Sequence, residues 1–441
     1  MEFDMLGFIR RKNKSAANHA RSMNAAAVWP DDPRMPSPNR DVLASAQVVG
    51  QRVAGLAKND PVVSSALETI VSMVVGIGTR LNTSDEVLDA EFNNGRFDPS
   101  RLLSLTALQQ ATIRSWVTTG EALALLTVID GEFAVHLLNP EQLDRSRNED
   151  LGDGNRIIAG VELDAFDRRV AYWLLPNAPD DPFIRIMQSQ RFEAGDVIHV
   201  FEREYAGQVR GISPLTPILT SVNTASVATE AGLKKLQVSA LFTAFLTSPD
   251  GSDIFGDARP SLEPGALVRL NPGEEISSAQ GGDAGDLPAF LKLIYHQCAA
   301  AIGVTYEDMT GDLSGVNYSS YRAGALTARR KAETRRKVLL IDGFLFPVFN
   351  RWRAIEQLKG RNIEVPSPKW IEPTWPEIDR EKEANADIAL VQAGLKSRKE
   401  VIEGRGRDFT AVSAEIEADE FQPASAAASS NKSQQKETET P

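Results

Sequence analysis

A single cysteine, Cys298, and only four histidines occur in the 441 residues of this chain. One thiol can form no disulfide within a subunit and cannot build a thiolate metal cluster. His19, His136, His199 and His296 are spaced too widely for a local ligand motif, so no metal and no cofactor is expected. Long hydrophobic runs are missing too: the longest candidate, Val71 to Ile77, falls far short of the ~18 apolar residues a membrane span needs. At the N-terminus, Arg10, Arg11, Lys12 and Lys14 follow a brief apolar stretch, the reverse of a secretory signal, and cytoplasmic synthesis is expected. Positive charge is also in deficit. A net charge of -12 argues against a protein that coats nucleic acid, because such binding neutralises phosphates with a surplus of Lys and Arg. It is compatible with an acidic lumen that surrounds a duplex without gripping it.

The signatures of common chemistries are absent as well. There is no Gly-x-x-x-x-Gly-Lys-Ser/Thr cradle for nucleotide phosphates, no His-Glu-x-x-His helix and no Gly-x-Ser-x-Gly elbow. Gly76-Ile77-Gly78 is too short for a dinucleotide fingerprint. Ser319 and Ser320 lack an identifiable base and read as caps of a helix. Asp180 with Asp181, or Asp308 with Asp312, could hold magnesium in a nuclease, although aspartates in Gly/Pro-rich loops are usually solvated turn residues.

What is present is enough apolar sequence, 42% of residues, to bury a sizeable core in an α+β, helix-rich chain. Residues 1–40 read as a basic, proline-bearing flexible arm, and 422–441 as a tail unable to bury apolar surface. Residues 41–211 open with helices at Val42–Leu56 and Val62–Val75, the second closing at Gly76 and Gly78. Short β-branched runs at Glu121–Asp130, Phe133–Leu138, Ile157–Leu163, Val170–Leu174 and Val197–Phe201 then predict a sheet. Ser213-Pro214 predicts the start of a helix reaching about Phe245. A small insertion separates it from a second helix, Leu287–Ile302, closed by Gly303. A Gly/Asp-rich loop, Thr305–Ser320, follows, and then a very long helix, Tyr321 to about Leu358, expected to kink at Pro347. An extended segment from Trp370 precedes an amphipathic helix, Arg380–Ala393, and shorter helices to about Phe421. One charge feature stands out: Arg322, Arg329 and Arg336 fall seven apart on one stripe of the long helix. That stripe is a solvated face, a face for a neighbour's acids, or a contact with phosphates.

Several stretches share a pattern with one family. Gly303-Val304-Thr305-Tyr306-Glu307, Gly311-Asp312-Leu313-Ser314 and Asn317-Tyr318-Ser319-Ser320-Tyr321-Arg322-Ala323 form the most specific run. Val75-Gly76-Ile77-Gly78, Gly160-Val161-Glu162-Leu163-Asp164, His199-Val200-Phe201 and Gly207-Gln208-Val209-Arg210-Gly211 precede it. Leu270-Asn271-Pro272-Gly273-Glu274 lies between, and Trp370 and Gly394-Leu395 follow. In this order, from about Asp41 to Glu420, the sequence resembles the portal proteins of lambda-like tailed bacteriophages. It departs from them at Tyr321, where a small residue is usual, and at Thr305, where proline or serine is common.

The resemblance implies a portal-type architecture and a ring of about twelve copies around a channel, a closed heterologous assembly. On that plan 41–211 is a wing, 212–246 and 287–303 are stem helices, 247–286 is a clip, and 304–320 is a tunnel loop. Residues 321–379 form the wing's spine helix and an extended segment, and 380–421 the crown. The loop would present Tyr306, Gly311, Asp312, Leu313, Asn317 and Tyr318 to the channel, since flanking glycines let it move. Lys234 and Lys235 on the stem would lie near passing phosphates. Arg322, Arg329 and Arg336 would form the basic spine face, and Arg269, Asn271, Glu274 and Glu275 would face the terminase. Expected partners are further copies of the chain, the large terminase that supplies ATP hydrolysis, capsid and scaffold proteins, head-completion proteins and double-stranded DNA, with no membrane; the expected location is the virion's portal vertex. The rivals are a metal-dependent nuclease using Asp308 and Asp312, and a non-viral helical scaffold.

Overall fold

The computed structural model of the chain describes residues 38–83, 85–178, 181–182, 188–241, 245–247, 275–277, 286–364, 368–375, 380–407 and 409–419. Asp60 and Pro61 divide the first apolar-periodic stretch into α1 (Pro38–Asn59) and α2 (Pro61–Val75). The Asp60 carboxylate accepts from the amides of Val62 at 2.9 Å and Val63 at 3.0 Å, and a proline in the first helical turn gives up no needed donor. Beyond α2 the backbone takes positive φ at Gly76 and Gly78, and a Cβ on Gly78 would come within 2.4 Å of Thr106 Oγ1. β1 (Arg80–Asn82) and α3 (Glu86–Asn93) follow, tied together because the Asn93 side chain bonds both the amide and the carbonyl of Leu81. α4 (Leu105–Thr119) lies against α1 and α2.

Two antiparallel sheets come next. The first has the order β3-β2-β9, from β2 (Ala122–Ile129), β3 (Glu132–Leu138) and, later in the chain, β9 (Val197–Val200). The second is a meander of β4 (Glu149–Gly152), β5 (Asn155–Ile158), β6 (Val161–Leu163), β7 (Arg169–Leu174) and β8 (Gln190–Glu193). Ile157–Leu163, which the residue pattern presents as one strand, is instead two strands joined by a reversal at Ala159 and Gly160, both at positive φ, with Ile158 opposite Val161. A Cβ on Gly160 would fall 2.7 Å from the Asp144 carbonyl, so the turn and the close approach both require glycine. The apolar run continues through the turn, and periodicity cannot see the reversal.

The main core joins α2, α4 and the first sheet to the later helices, with Phe92 packed at 5.3–5.4 Å on Phe97, Phe349 and Trp352. A second core, including Leu123, Leu143, Val161, Tyr172 and Val209, lies between the sheets. Beside it is a buried charge cluster that sequence reasoning missed. Arg210 Nε and Nη2 donate to Glu121 at 2.7 and 2.6 Å, the Gly211 amide donates to the same carboxylate at 2.6 Å, and His199 Nε2 lies 3.2 Å away. Burial pushes the Glu121 carboxyl upward, but the Arg210 charge and then His199 more than offset this and hold it well below the usual range. Burial lowers His199 from 6.5 to about 4.

An acid dependence follows. Below pH 6.5 the unfolded chain protonates His199 while the folded chain resists until about pH 4, so unfolding takes up protons across that window. Glu121, depressed in the folded state, adds stability above its ordinary pKa that is lost on further acidification. The urea midpoint should therefore fall between pH 6.5 and 4, and His199→Phe should flatten that slope; a His199→Phe profile parallel to the parent's would refute the assignment.

Sequence places a helix start at Ser213-Pro214, but the structure starts it later. Ser213 Oγ accepts from the Leu215 amide at 3.1 Å and donates to the Val117 carbonyl at 2.6 Å, and a 3-10 turn, Thr216–Ile218, precedes α5 (Leu219–Leu241). Pro214 and Pro217 remove amides that a regular first turn can spare but do not need to use. β10 (Phe245–Thr247) and β11 (Glu275–Ser277) pair antiparallel, closing the base of the insertion, and α6 (Leu287–Ile302) packs back along α5. Next come the short α7 (Tyr306–Thr310) and the long helix. The latter consists of α8 (Tyr318–Arg335), a π-helical stretch Arg336–Leu345, and α9 (Phe346–Leu358). Where a kink is expected at Pro347, the structure shows a register change: the Phe346 amide donates to the Ile341 carbonyl, five residues back, which widens the turn ahead of the proline ring. β12 (Lys369–Ile371) pairs with β1. α10 (Arg380–Gln392), α11 (Arg398–Gly404) and α12 (Phe409–Ala418) finish the chain, and α11 and α12 bury no residue. Among the described residues no helix is long and apolar enough to cross a membrane.

Candidate functional site

The segment carrying the most specific sequence pattern starts where α6 ends. Gly303, at φ 85, donates its amide to the Ala299 carbonyl and turns the chain out of the helix. Thr305, a position of departure from the family pattern, caps α7 by accepting from the Asp308 amide at 3.0 Å. α7 is fixed on three sides. Met309 is fully buried, Thr69 of α2 donates to the Asp308 carbonyl at 3.0 Å, and the Tyr321 hydroxyl of α8 donates to Asp308 Oδ1 at 2.9 Å. Tyr321, the second departure, thus ties α7 to the long helix. Burial and then this hydrogen bond raise its phenol above the ordinary value.

From Gly311, at φ 72, the chain runs as an exposed loop to Asn317. The Asp312 carboxylate accepts from Ser314 Oγ at 2.6 Å, from the Ser314 amide at 3.0 Å and from the Tyr306 hydroxyl at 3.0 Å, with Lys292 Nζ 4.0 Å away. The Ser314 bonds chiefly, then Tyr306, pull Asp312 down to about 2, so it is charged at any working pH. The Tyr306 ring stacks on His296 at 4.1 Å, and Lys292 Nζ lies 5.5 Å from its centroid. Leu313, at the tip, is 63% exposed. Asn317 caps α8 by accepting from the Ser320 amide at 2.9 Å; the cap expected at Ser319 and Ser320 therefore lies two to three residues earlier. Tyr318 is the first residue of α8. Of the predicted loop residues, then, Tyr306 and Asp312 meet each other, Leu313 projects, and Asn317 is engaged with backbone.

The nuclease alternative required Asp308 and Asp312 to act together. They are partnered separately, and among the described residues no group of three or more His, Cys, Asp and Glu could hold a metal ion. Asp181 accepts from Asn177 at 2.8 Å, and Asp180 lies outside the described residues.

The basic stripe on the long helix is corrected. Arg336 is 3% exposed and donates to the carbonyls of Val74, Met73 and Pro373. Arg329 lies 5.2 Å from the Trp375 ring, and Arg322 is 3.5 Å from Glu383. A seven-residue spacing places three residues on one stripe, but the segment after β12 folds back over Arg336 and Arg329 alone, while the Arg322 side chain stays 44% exposed beside α10. Lys234 and Lys235 are both exposed on α5 in a single copy of the chain. Glu275 opens β11, while Arg269, Asn271 and Glu274 lie outside the described residues. Arg335, a basic residue of the long helix outside the seven-residue stripe, donates to the Ile302 carbonyl at 3.0 Å and stacks 5.3 Å from Trp116, joining the start of the loop to α4.

Comparison with known proteins adds a family. The model for "Phage portal protein, lambda family" matches residues 25–336. The chain is 25% identical over 298 residues to a probable portal protein of Halomonas phage phiHAP-1, covering 63% of this chain and 57% of that one. It is 22% identical over 327 residues to portal protein B of Escherichia phage lambda, covering 63% of this chain and 60% of that one. It therefore spans less than two thirds of the length of these relatives. Among solved structures, a chain from the neck of an empty GTA particle, computed with C6 symmetry, superposes with a TM-score of 0.50 at 14% identity, covering 86% of this chain and 96% of that one; the likeness is one of fold.

Proposed function

Because the chain belongs to the lambda family of phage portal proteins, we propose that its copies close into a ring at one capsid vertex through which double-stranded DNA is packaged and later ejected. The observation that carries the reading is the family match over residues 25–336, which runs through both sheets, the helix pair, the loop and α8. In the ring, residues 41–211 act as a wing, α5 and α6 as a stem, and the insertion between them as the clip that docks the large terminase and afterwards head-completion proteins. Residues 304–320 act as the tunnel loop, the long helix as the spine and 380–421 as the crown. The role is mechanical: this chain offers a passage, and the terminase supplies the ATP-driven movement. A closed ring of about twelve copies needs each subunit to present two different faces to its neighbours. Exposed Lys234 and Lys235 on α5 are the basic groups that would meet phosphates as the duplex passes.

Electron microscopy of the purified protein should show annular particles with a bore wide enough for a duplex. Deleting Asp312–Val316 should leave those rings intact and yield particles poor in DNA. Protein that stays monomeric at every concentration and salt, in solution and in assembling heads, would end the reading; full particles from the deletion would remove the loop from it.

A further inference from the structure

We propose that the contact of Asp312 with Tyr306 and Lys292 is a latch that holds the loop 311–317 against α6, and that its opening lets the tip at Leu313 swing while α7 stays in place. The idea deepens the channel reading and rests on it for its consequence. The observations divide the segment into fixed and releasable parts. α7 cannot follow the loop, because Met309 is buried in the core and Asp308 is held from α2 by Thr69 and from α8 by Tyr321. The far end is set by the Asn317 cap on α8. Between these anchors, Gly311 sits in the left-handed region that only glycine enters freely, and a Cβ on Gly315 would lie 3.1 Å from Lys292 Nζ. Gly315 therefore lets the loop rest on the α6 lysine.

Tyr306 and Lys292 are the positioning residues. The Tyr306 ring is fixed by its stack on His296, so its hydroxyl is presented to Asp312 from a rigid base. The Lys292–Asp312 pair is different in kind: the two side chains are 43% and 35% exposed, and water and salt compete for both. A bond of that type biases a loop without locking it. A phosphate-bearing chain passing close to α6 offers the Lys292 ammonium a second anionic partner, and exchanging Asp312 for phosphate leaves Tyr306 alone to hold the loop, which loosens the latch.

The test uses the full chain with Leu313→Cys carrying a fluorophore. The native Cys298 is 2% exposed, so labelling is directed to the tip. Time-resolved anisotropy should show the amplitude of fast tip motion rising about twofold in Tyr306→Phe, which deletes one oxygen, and also in Lys292→Met, with helical circular dichroism unchanged. Tip motion in Tyr306→Phe equal to the parent's, or slower, overturns the latch whatever Lys292→Met does. No DNA or capsid enters the measurement, so a negative result leaves the channel reading standing, and a failure to form rings leaves the anisotropy comparison valid.

Discussion

Replacing Arg210 with methionine lowers the stability of the chain by about 3–5 kcal/mol, the cost typical of removing one partner from a buried ion pair. The guanidinium is fully buried, and besides its two bonds to Glu121 it donates to the Ala159 carbonyl at 3.0 Å and the Pro140 carbonyl at 3.3 Å. Without it the buried carboxylate keeps only the Gly211 amide, the more distant Arg145 at 3.8 Å and a histidine that burial keeps neutral, and two carbonyls lose their donor. The damage concentrates where backbones approach closely: a Cβ on Gly211 would stand 2.1 Å from the Gly120 carbonyl, so this junction cannot loosen and repack. Urea denaturation of Arg210→Met, Glu121→Gln and the double variant measures the effect. The double variant should recover part of the loss, because it removes a buried charge left with Arg145 alone at 3.8 Å as its cationic partner, as well as the bonds. A loss under about 1 kcal/mol in Arg210→Met would mean that water reaches the cluster.

Arg336→Met should cost about 3 kcal/mol, through several buried polar groups left without a partner. Arg336 Nε donates to the Val74 carbonyl at 2.7 Å and Nη2 to the Met73 carbonyl at 2.9 Å, two of the end carbonyls of α2 that the helix itself cannot satisfy. Nη1 reaches the Pro373 carbonyl and the Glu372 carboxylate, both at 3.3 Å, and the group lies 5.5 Å from the Trp375 ring. One side chain thus pins the end of α2, the long helix and the segment after β12. Arg336→Lys should recover little, since an ammonium has no planar fork with which to serve separated carbonyls. Arg330→Met, on the exposed side of the same helix, should stay within about 0.5 kcal/mol of the parent. A thermal melt in which Arg336→Lys matches the parent would refute the clamp.

Several helices were legible, because their signals are local: the glycines closing α2 and α6 and the apolar spacing of the long helix can be read within a few residues of themselves. The Asp60-Pro61 break, α3 and α4 went unread, and α7 lies in a stretch read as loop. The strand pattern was legible apart from the reversal at Ala159–Gly160, which depends on a close approach to Asp144, distant in sequence and brought to the turn only by folding. Within the candidate loop, the sequence pattern marked the right stretch but not its internal bonds. Tyr321 and Thr305 looked like departures, and the structure uses the first to hold Asp308 and the second to cap α7.

From its residues alone, this chain was determined to be helix-rich α+β, low in thiols and histidines, acidic, and patterned like one family of phage proteins, since composition, period and motif order are properties of the chain itself. Only the tertiary structure decided the fate of its charges. Arg210 lies 89 residues from Glu121, and Arg336 lies 262 from Val74. A charged side chain reads as solvated until the backbone brings it a partner, and the energy of burying it is set by those distant groups rather than by its neighbours in sequence.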